Sequence, residues 1–261
     1  MTSPPTSPQA AGLLKCLGGE LDEGTAPLVG RAEVRSAPPG TILGRQGEFS
    51  PGVFLILDGL VRLYRAHESG RELVLWNLTD PDCFCFSPPC TDLASPFSAQ
   101  CLAPTRYAHI PAPEWNRHVC ERANRMTGLI ECLSQERGDL GRWAEELSTL
   151  TVPQRLRSHL AFLAKVRGTA EAGAIRLTYG ASRAQLAAAI GTAPEVVTRA
   201  LSELVAKGII ERAGRHLRVL APDRLGPPPA PPRTSLAVGP TRAAPATALP
   251  RPADPRPTRA R

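Results

Sequence analysis

The stretch SRAQLAAAIGTAPEVVTRALSELVAKGIIERAGRHLRVL, residues 182–220, decides how one end of this chain folds and limits what the rest can be. SRAQLAAAI is short, apolar on one side, and opens on Ser182, a residue that caps helix N-termini. GTA is a tight turn. PEVVTRALSELVAKG then reads as a second helix, with Pro194 in its first turn and Gly208 at its C-terminal stop. It buries Val196, Val197, Leu201 and Leu204 and leaves Glu195, Thr198 and Arg199 on the outer side. IIERAGRHLRV is two short strands about Gly214. Helix, turn, helix and β-hairpin make a winged helix-turn-helix.

The outer residues suit base reading. An arginine can donate two hydrogen bonds to guanine O6 and N7, and a glutamate can accept from cytosine N4. Ser182, Arg183 and the first helix's N-terminus suit phosphates, which position a protein without reading sequence. Arg215, His216 and Arg218 on the hairpin can reach the backbone too. The plain alternative is that Glu195 and Arg199, four residues apart, only pair on a solvated helix face.

Upstream, the pattern changes twice. Residues 26–112 alternate short apolar runs with turn signals at 38–40, 47, 50–52, 58–59 and 69–70, as a sandwich or barrel does. In LVRLYRA (60–66), Val61 and Leu63 fall on one face, Arg62 and Tyr64 on the other. From Trp115 to Leu150, positions Trp115, Val119, Arg122, Met126, Leu129, Leu133, Glu136, Leu140, Trp143, Leu147 and Leu150 step by four and three. This seam of about five heptads marks a helix that pairs with another helix, here a second copy of the chain. Pro153 then opens VPQRLRSHLAFLAKV, which Gly168 ends, and a strand follows at 174–178. The expected order is 1–25 disordered, 26–112 a β-barrel sensor domain, 113–150 a dimerisation helix, 151–222 the winged helix-turn-helix, and 223–261 a disordered Pro/Arg-rich tail. The fold class is α+β.

The chain has 261 residues and a net charge of +7. From Pro222 onward there are seven Arg and two Asp, a net of +5, which leaves +2 for the body. Overall charge is therefore weak support for DNA binding, and the motif must carry it. No apolar run is long enough to span a membrane. The N-terminus MTSPPTSPQA lacks the pattern of a secretory signal. The expected compartment is the reducing cytoplasm, where seven cysteines serve as thiols, metal ligands or redox groups. No phosphate loop, nucleophile elbow or paired carboxylates suggest an enzyme.

Residues 28–222 resemble the CRP/FNR family of bacterial transcription regulators. The resemblance rests on PPGTILGRQGE (38–48), GVFLILDGLVRLYR (52–65), GRELVLWNL (70–78) and the helix-turn-helix segment 182–210. It implies a jelly-roll barrel of the cyclic-nucleotide-binding kind and a long dimer helix. It also implies a homodimer on a two-fold DNA operator and RNA polymerase as a partner. Glu195, Thr198 and Arg199 match the E-x-x-[ST]-R pattern by which the FNR-like branch reads its half-site. The family's cyclic-nucleotide cassette, a Gly-Glu pair and a later Arg-Ser or Arg-Thr, should occupy residues 82–101. Here that window is DCFCFSPPCTDLASPFSAQC, with neither Gly-Glu nor arginine, and Arg106 lies too far on to substitute. A buried phosphate without a cation carries a large desolvation penalty, so a cyclic nucleotide is not the expected effector.

The window holds Cys83, Cys85, Cys90 and Cys101 instead. The expectation is a centre ligated by these four, an iron–sulfur cluster first, answering redox state, oxygen or nitric oxide. Zinc, a thiol–disulfide switch, or plain apolar packing are the alternatives. Cys120 and Cys132 read as packing, and Cys16 has no assigned role. Haem would draw on His67, His109 or His118. The competing functions are a DNA-binding regulator without a sensing centre and a barrel/coiled-helix protein-interaction module.

Overall fold

The structure is a computed structural model and describes residues 26–86, 91, 93–121, 123–179, 182–214 and 216–228. Cys16 and Cys90, Arg215, and the side chains at Arg122, Met126, Leu129 and Cys132 lie outside the described residues.

The barrel is two four-stranded antiparallel sheets. One has the order β1 (Glu33–Ala37), β8 (Thr105–Pro111), β3 (Gly52–Asp58), β6 (Cys83–Cys85). The other has the order β2 (Ile42–Gly44), β7 (Ser98–Cys101), β4 (Leu60–Ala66), β5 (Glu72–Thr79). Because side chains alternate along a strand, the first sheet has two buried faces. Phe54, Ile56, Phe84 and Tyr107 fill the lumen between the sheets. Val53, Leu55, Cys83, Ala108 and Ile110 face outward, where Leu28 of α1 (Ala26–Arg31), Trp115 of α2 (Ala112–Trp115) and Val119 of a π-helical turn (Asn116–Cys120) cover them.

The segment expected as one helix over 113–150 is thus interrupted. α2 and the π turn end at Cys120, and α3 begins at Ala123 and runs to Thr149. The expected dimer stripe divides in the same way. Trp115 and Val119, 2% and 1% exposed, belong to the barrel's own core. Leu133 and Leu140 are exposed, as is Ile130 beside them. Trp143 and Leu147 turn toward β5 and the DNA-binding unit. A heptad repeat states that a face is apolar; it does not state what covers it.

The C-terminal unit begins with α4 (Val152–Arg167), where the Thr151 amide donates to Gln154 Oε1 at 2.8 Å. A strand the sequence reading missed, β9 (Gly168–Glu171), joins β10 (Ala174–Leu177), β12 (His216–Val219) and β11 (Ile210–Ala213) in one sheet of order β11-β12-β10-β9. Between them stand α5 (Arg183–Ile190) and α6 (Pro194–Ala206). The chain stays packed beyond 222, contrary to the expected tail boundary: Leu225 is 2% exposed in the unit's core, Arg157 Nε donates to its carbonyl, and Ser158 Oγ donates to Pro227 O.

This unit docks on the barrel. Leu60, Leu102 and Ala103 of the barrel share one core with Leu156, Leu160, Leu163, Leu186 and Leu201. Ala188 of α5 packs on Tyr64 and Val74. The alternation in LVRLYRA therefore misleads: Arg62 and Tyr64 are buried, 7% and 7% exposed.

Candidate nucleic-acid interface and sensor region

α5 starts with a reciprocal cap. The Gln185 amide donates to Ser182 Oγ at 3.2 Å, and the Ser182 amide donates to Gln185 Oε1 at 3.1 Å. Gly191 ends the helix at φ 65°, a left-handed conformation that glycine adopts without a Cβ penalty. Three residues later Pro194 opens α6, so the turn is short and the second helix is set by the first. Leu186, Ala187 and Ile190 of α5 pack with Val197, Ala200, Leu201 and Leu204 of α6 on the α4 leucines. Val196, expected in this core, is only partly buried.

That packing leaves one outer face. Glu195 and Arg199 are exposed, Thr198 is half-buried, and Ser182 and Arg183 stand exposed at the start of α5. Thr198 Oγ1 donates to Pro194 O at 2.9 Å. Among the described residues, no ion pair joins Glu195 to Arg199 or engages either with another group. Both charges therefore remain available to an outside ligand. His216 is half-buried on the hairpin, and Arg218 Nη1 is paired with Glu211 Oε2 at 2.7 Å. Arg218 is thus held by its own sheet.

The lumen of the barrel is filled by the chain itself. Phe54 and Phe84 stack at 5.0 Å between centroids, Phe86 meets them edge-on at 5.6 and 5.5 Å, and Phe97 lies 5.9 Å from Phe86. Phe86 is 2% exposed. Its ring lies so close over Gly44 that a Cβ there would overlap it. Arg62 is the cation the sequence reading overlooked. Its Nη1 donates to Glu72 Oε2 at 2.6 Å, its Nε to Gln100 Oε1 at 2.9 Å, and its guanidinium lies over the Tyr64 ring at 4.1 Å. It is already neutralised, and Arg106 is exposed on β8.

Of the four window cysteines Cys90 lies outside the described residues, and the other three divide between two clusters. Cys83 and Cys85, two apart on β6, share the helix-covered face of their sheet, and Cys120 of the π turn packs against the same cluster. Cys101 lies on the other side, fully buried in the lumen among Phe84 and Phe97. Burial pushes its thiol pKa up, against a smaller opposing hydrogen bond from Thr105. Cys83 forms a disulfide. Among the described residues no three His, Cys, Asp or Glu side chains gather as a metal site. The expected set Cys83, Cys85, Cys90 and Cys101 is corrected to this extent: strand alternation puts Cys101 across the sheet from Cys83 and Cys85. The thiol that shares their apolar cluster is Cys120, which the sequence assigned to packing alone.

The histidines lie apart as well. His67 bonds Ser69 in the β4–β5 turn, His109 lies under Phe54 with its pKa lowered by burial, and His118 faces Glu114.

Comparison with known proteins agrees with this architecture. Residues 34–119 match the model of the cyclic nucleotide-binding domain, and residues 154–226 that of the Crp-like helix-turn-helix domain. The chain is 25% identical over 193 residues to a CRP-like cAMP-activated global transcriptional regulator of Mycobacterium tuberculosis, covering 72% of this chain and 84% of that protein. It is 25% identical to the transcriptional activator protein Anr of Pseudomonas protegens, covering 73% and 78%. Among solved structures, a CRP/FNR-family transcriptional regulator from Thermus thermophilus superposes with a TM-score of 0.63 at 24% identity, covering 74% of this chain and 96% of that one. The c-di-GMP responsive global regulator CLP of Xanthomonas campestris does so with a TM-score of 0.63 at 21% identity, covering 76% and 99%.

Proposed function

The chain belongs to the CRP/FNR family of DNA-binding transcription regulators, and we propose that it reads a two-fold operator as a homodimer and takes its input from sulfur chemistry rather than from a cyclic nucleotide. The observation that carries the operator reading is the unpaired, exposed Glu195 and Arg199 on a helix whose inner face is fully packed. Arg199 reads guanine, Glu195 reads cytosine, and Ser182 and Arg183 hold phosphates. The dimer uses the exposed leucines of α3, which sets half-sites about one helical turn apart. Such a regulator works in the cytoplasm and contacts RNA polymerase.

Two features favour the sulfur input. The lumen is occupied by Phe86 and Phe97, and the buried Arg62 is already paired. The Cys83 disulfide lies where the barrel meets α2 and the π turn, immediately before the helix that carries the dimer. An external dithiol reduces it to two thiols and is itself oxidised to a disulfide. That change loosens the seat of Trp115 and Val119 and shifts α3 between two arrangements.

The test measures binding to a palindromic duplex by fluorescence anisotropy, with protein held oxidised or reduced by dithiothreitol. Arg199→Ala is expected to weaken binding about 10- to 100-fold, which corresponds to roughly 1–3 kcal/mol for one bidentate contact. The redox state is expected to move the affinity of the unaltered chain and not that of Cys83→Ser. Equal affinity for random duplex, or a redox response that survives in Cys83→Ser, refutes the respective half of the reading.

A further inference from the structure

The hairpin that joins β4 to β5 stands beside the start of α6. Its residues Arg65, His67, Ser69 and Arg71 line one side of a cleft of about 1140 Å³. Ala184 of α5, Thr192 of the turn, and Pro194 and Glu195 of α6 line the other. The two sides meet where Leu73 follows the hairpin: a Cβ on Gly191 would lie 3.6 Å from Leu73 Cδ1. The cleft thus extends from the end of α5 that carries Ser182 and Arg183 to the outer face of α6.

The hairpin is fixed by its own hydrogen bonds. The Ala66 amide donates to Gln46 Oε1 at 3.1 Å, and the Gly70 amide donates to the His67 carbonyl at 2.9 Å. The Ser69 amide donates to His67 Nδ1 at 3.1 Å. The ring proton therefore sits on Nε2, which is left as a donor on an exposed side chain. Arg65 and Arg71 are exposed as well, and among the described residues neither has an ion-pair partner. Of the nearby carboxylates, Glu72 is taken by Arg62 at 2.6 Å, and Glu68 does not line the cleft. Glu195 faces the hairpin from α6, yet among the described residues no ion pair crosses to it. Two guanidiniums and an imidazole N–H are thus held on one short turn without an anion. The surface continues directly into the face that reads bases and the end of α5 that holds phosphates. A duplex lying on α6 supplies a row of phosphates at that place.

We propose that Arg65, His67 and Arg71 form a second phosphate-holding surface for the duplex that α6 reads, gripping its backbone just outside each half-site. The proposal rests on the operator reading and gives the barrel a share in DNA binding alongside the helix-turn-helix. Contacts of this kind fix position and carry no sequence information. Each one releases counterions, so it shows in the salt dependence of binding.

The test is fluorescence anisotropy of the full chain on a palindromic duplex that extends one helical turn beyond each half-site. Arg65→Gln with Arg71→Gln removes two cations, so the slope of log affinity against log salt should become shallower by about 1.8. Between about 50 and 200 mM salt the variant should then lose about 12-fold less affinity than the unaltered chain loses. Arg71→Gln alone should give half the change in slope, and Arg65→Lys with Arg71→Lys should restore the slope. Preference for the palindrome over random duplex should stay as it is, whereas Arg199→Ala should lower it. Arg35→Gln with Arg117→Gln, the same charge change on β1 and the π turn, should leave the slope unaltered. An unchanged slope in the Arg65/Arg71 variant, tighter binding by it, or an equal change from the Arg35/Arg117 variant overturns the proposal. The slopes are read on random duplex too, so a chain with no preference for the palindrome sinks the operator reading alone.

Discussion

Arg167 holds the DNA-binding unit to the barrel, and its removal should separate their stabilities. At the end of α4 its guanidinium donates to the Gly59 carbonyl through Nε at 3.1 Å and also through Nη2. Nη1 reaches Asp58 Oδ1 at 2.9 Å, and Nη2 lies 3.5 Å from Asp80 Oδ1. The arginine side chain is 21% exposed, whereas Asp58 is 65% exposed and Asp80 53%. The carbonyl bonds dominate for that reason. A hydrogen bond to a charged group contributes about 1.5–3 kcal/mol, and each exposed ion pair adds about 0–1 kcal/mol. Arg167→Met keeps an apolar stem of similar length, so the expected loss is about 2–3 kcal/mol. The apolar contact through Leu60, Leu102 and Ala103 remains. All three tryptophans, Trp76, Trp115 and Trp143, precede the DNA-binding unit. Trp76 and Trp143 border α4, so Trp76→Phe and Trp143→Phe leave Trp115 as the reporter: in urea unfolding at fixed protein concentration its emission follows the barrel, while far-UV circular dichroism also senses α4, α5 and α6. The unaltered chain should give coincident curves. Arg167→Met should shift the dichroism transition to lower urea and leave the emission curve behind. Coincident curves within about 0.5 kcal/mol of the unaltered chain, the usual range for an inconsequential surface change, would refute the reasoning.

Three further outcomes are expected. His159 and Glu136 should act in opposite directions on stability against pH. The His159 pKa is lowered to about 4, so its contribution is present above about 6.5 and lost as pH falls toward 4. Burial, and secondarily Asp139, raises the Glu136 pKa to about 7, so its contribution is present below 4.5 and lost as pH rises through 7. Each is worth up to about 3 kcal/mol, and between pH 7.5 and 5 they nearly cancel. Urea midpoints should show Glu136→Gln losing stability toward pH 5 and His159→Gln gaining it. Leu133→Asp with Leu140→Asp should leave single folded chains at micromolar concentration by sedimentation, since both side chains are exposed on α3. Phe86→Ala should lower stability by about 3–5 kcal/mol, and Gly44→Ala, which drives a methyl into the same ring, by about 1–3 kcal/mol; thermal unfolding checks both.

How far the sequence led depended on the range of the interactions involved. The helix-turn-helix was legible because its signals are local. Ser182 with Gln185, Gly191 at the turn, Pro194 and Gly208 each act within one helical turn, and the spacing of Glu195, Thr198 and Arg199 puts them on one face in any helix. The barrel was legible as a class from its turns and short strands. The sulfur site was not legible in the same way. Cys83, Cys85 and Cys101 cluster in sequence, but β6 and β7 belong to different sheets. Nothing within either strand says which neighbour lies on which face. The stripe from Trp115 to Leu150 was legible as an apolar face but not in what covers each part of it, since such a face is satisfied equally by a barrel, a DNA-binding unit or a second copy.

What the residues fixed by themselves was therefore each element that closes its own hydrogen bonds over a few residues, together with the chemistry carried on the outer face of α6. What only the tertiary structure decided was every matter of facing: that Cys101 looks into the lumen while Cys83 looks out, that Phe86 takes the space beside Gly44, and that Arg62 is buried among Tyr64, Glu72 and Gln100. Those outcomes depend on contacts between segments tens of residues apart, whose burial is set by the packing of whole layers rather than by any local preference.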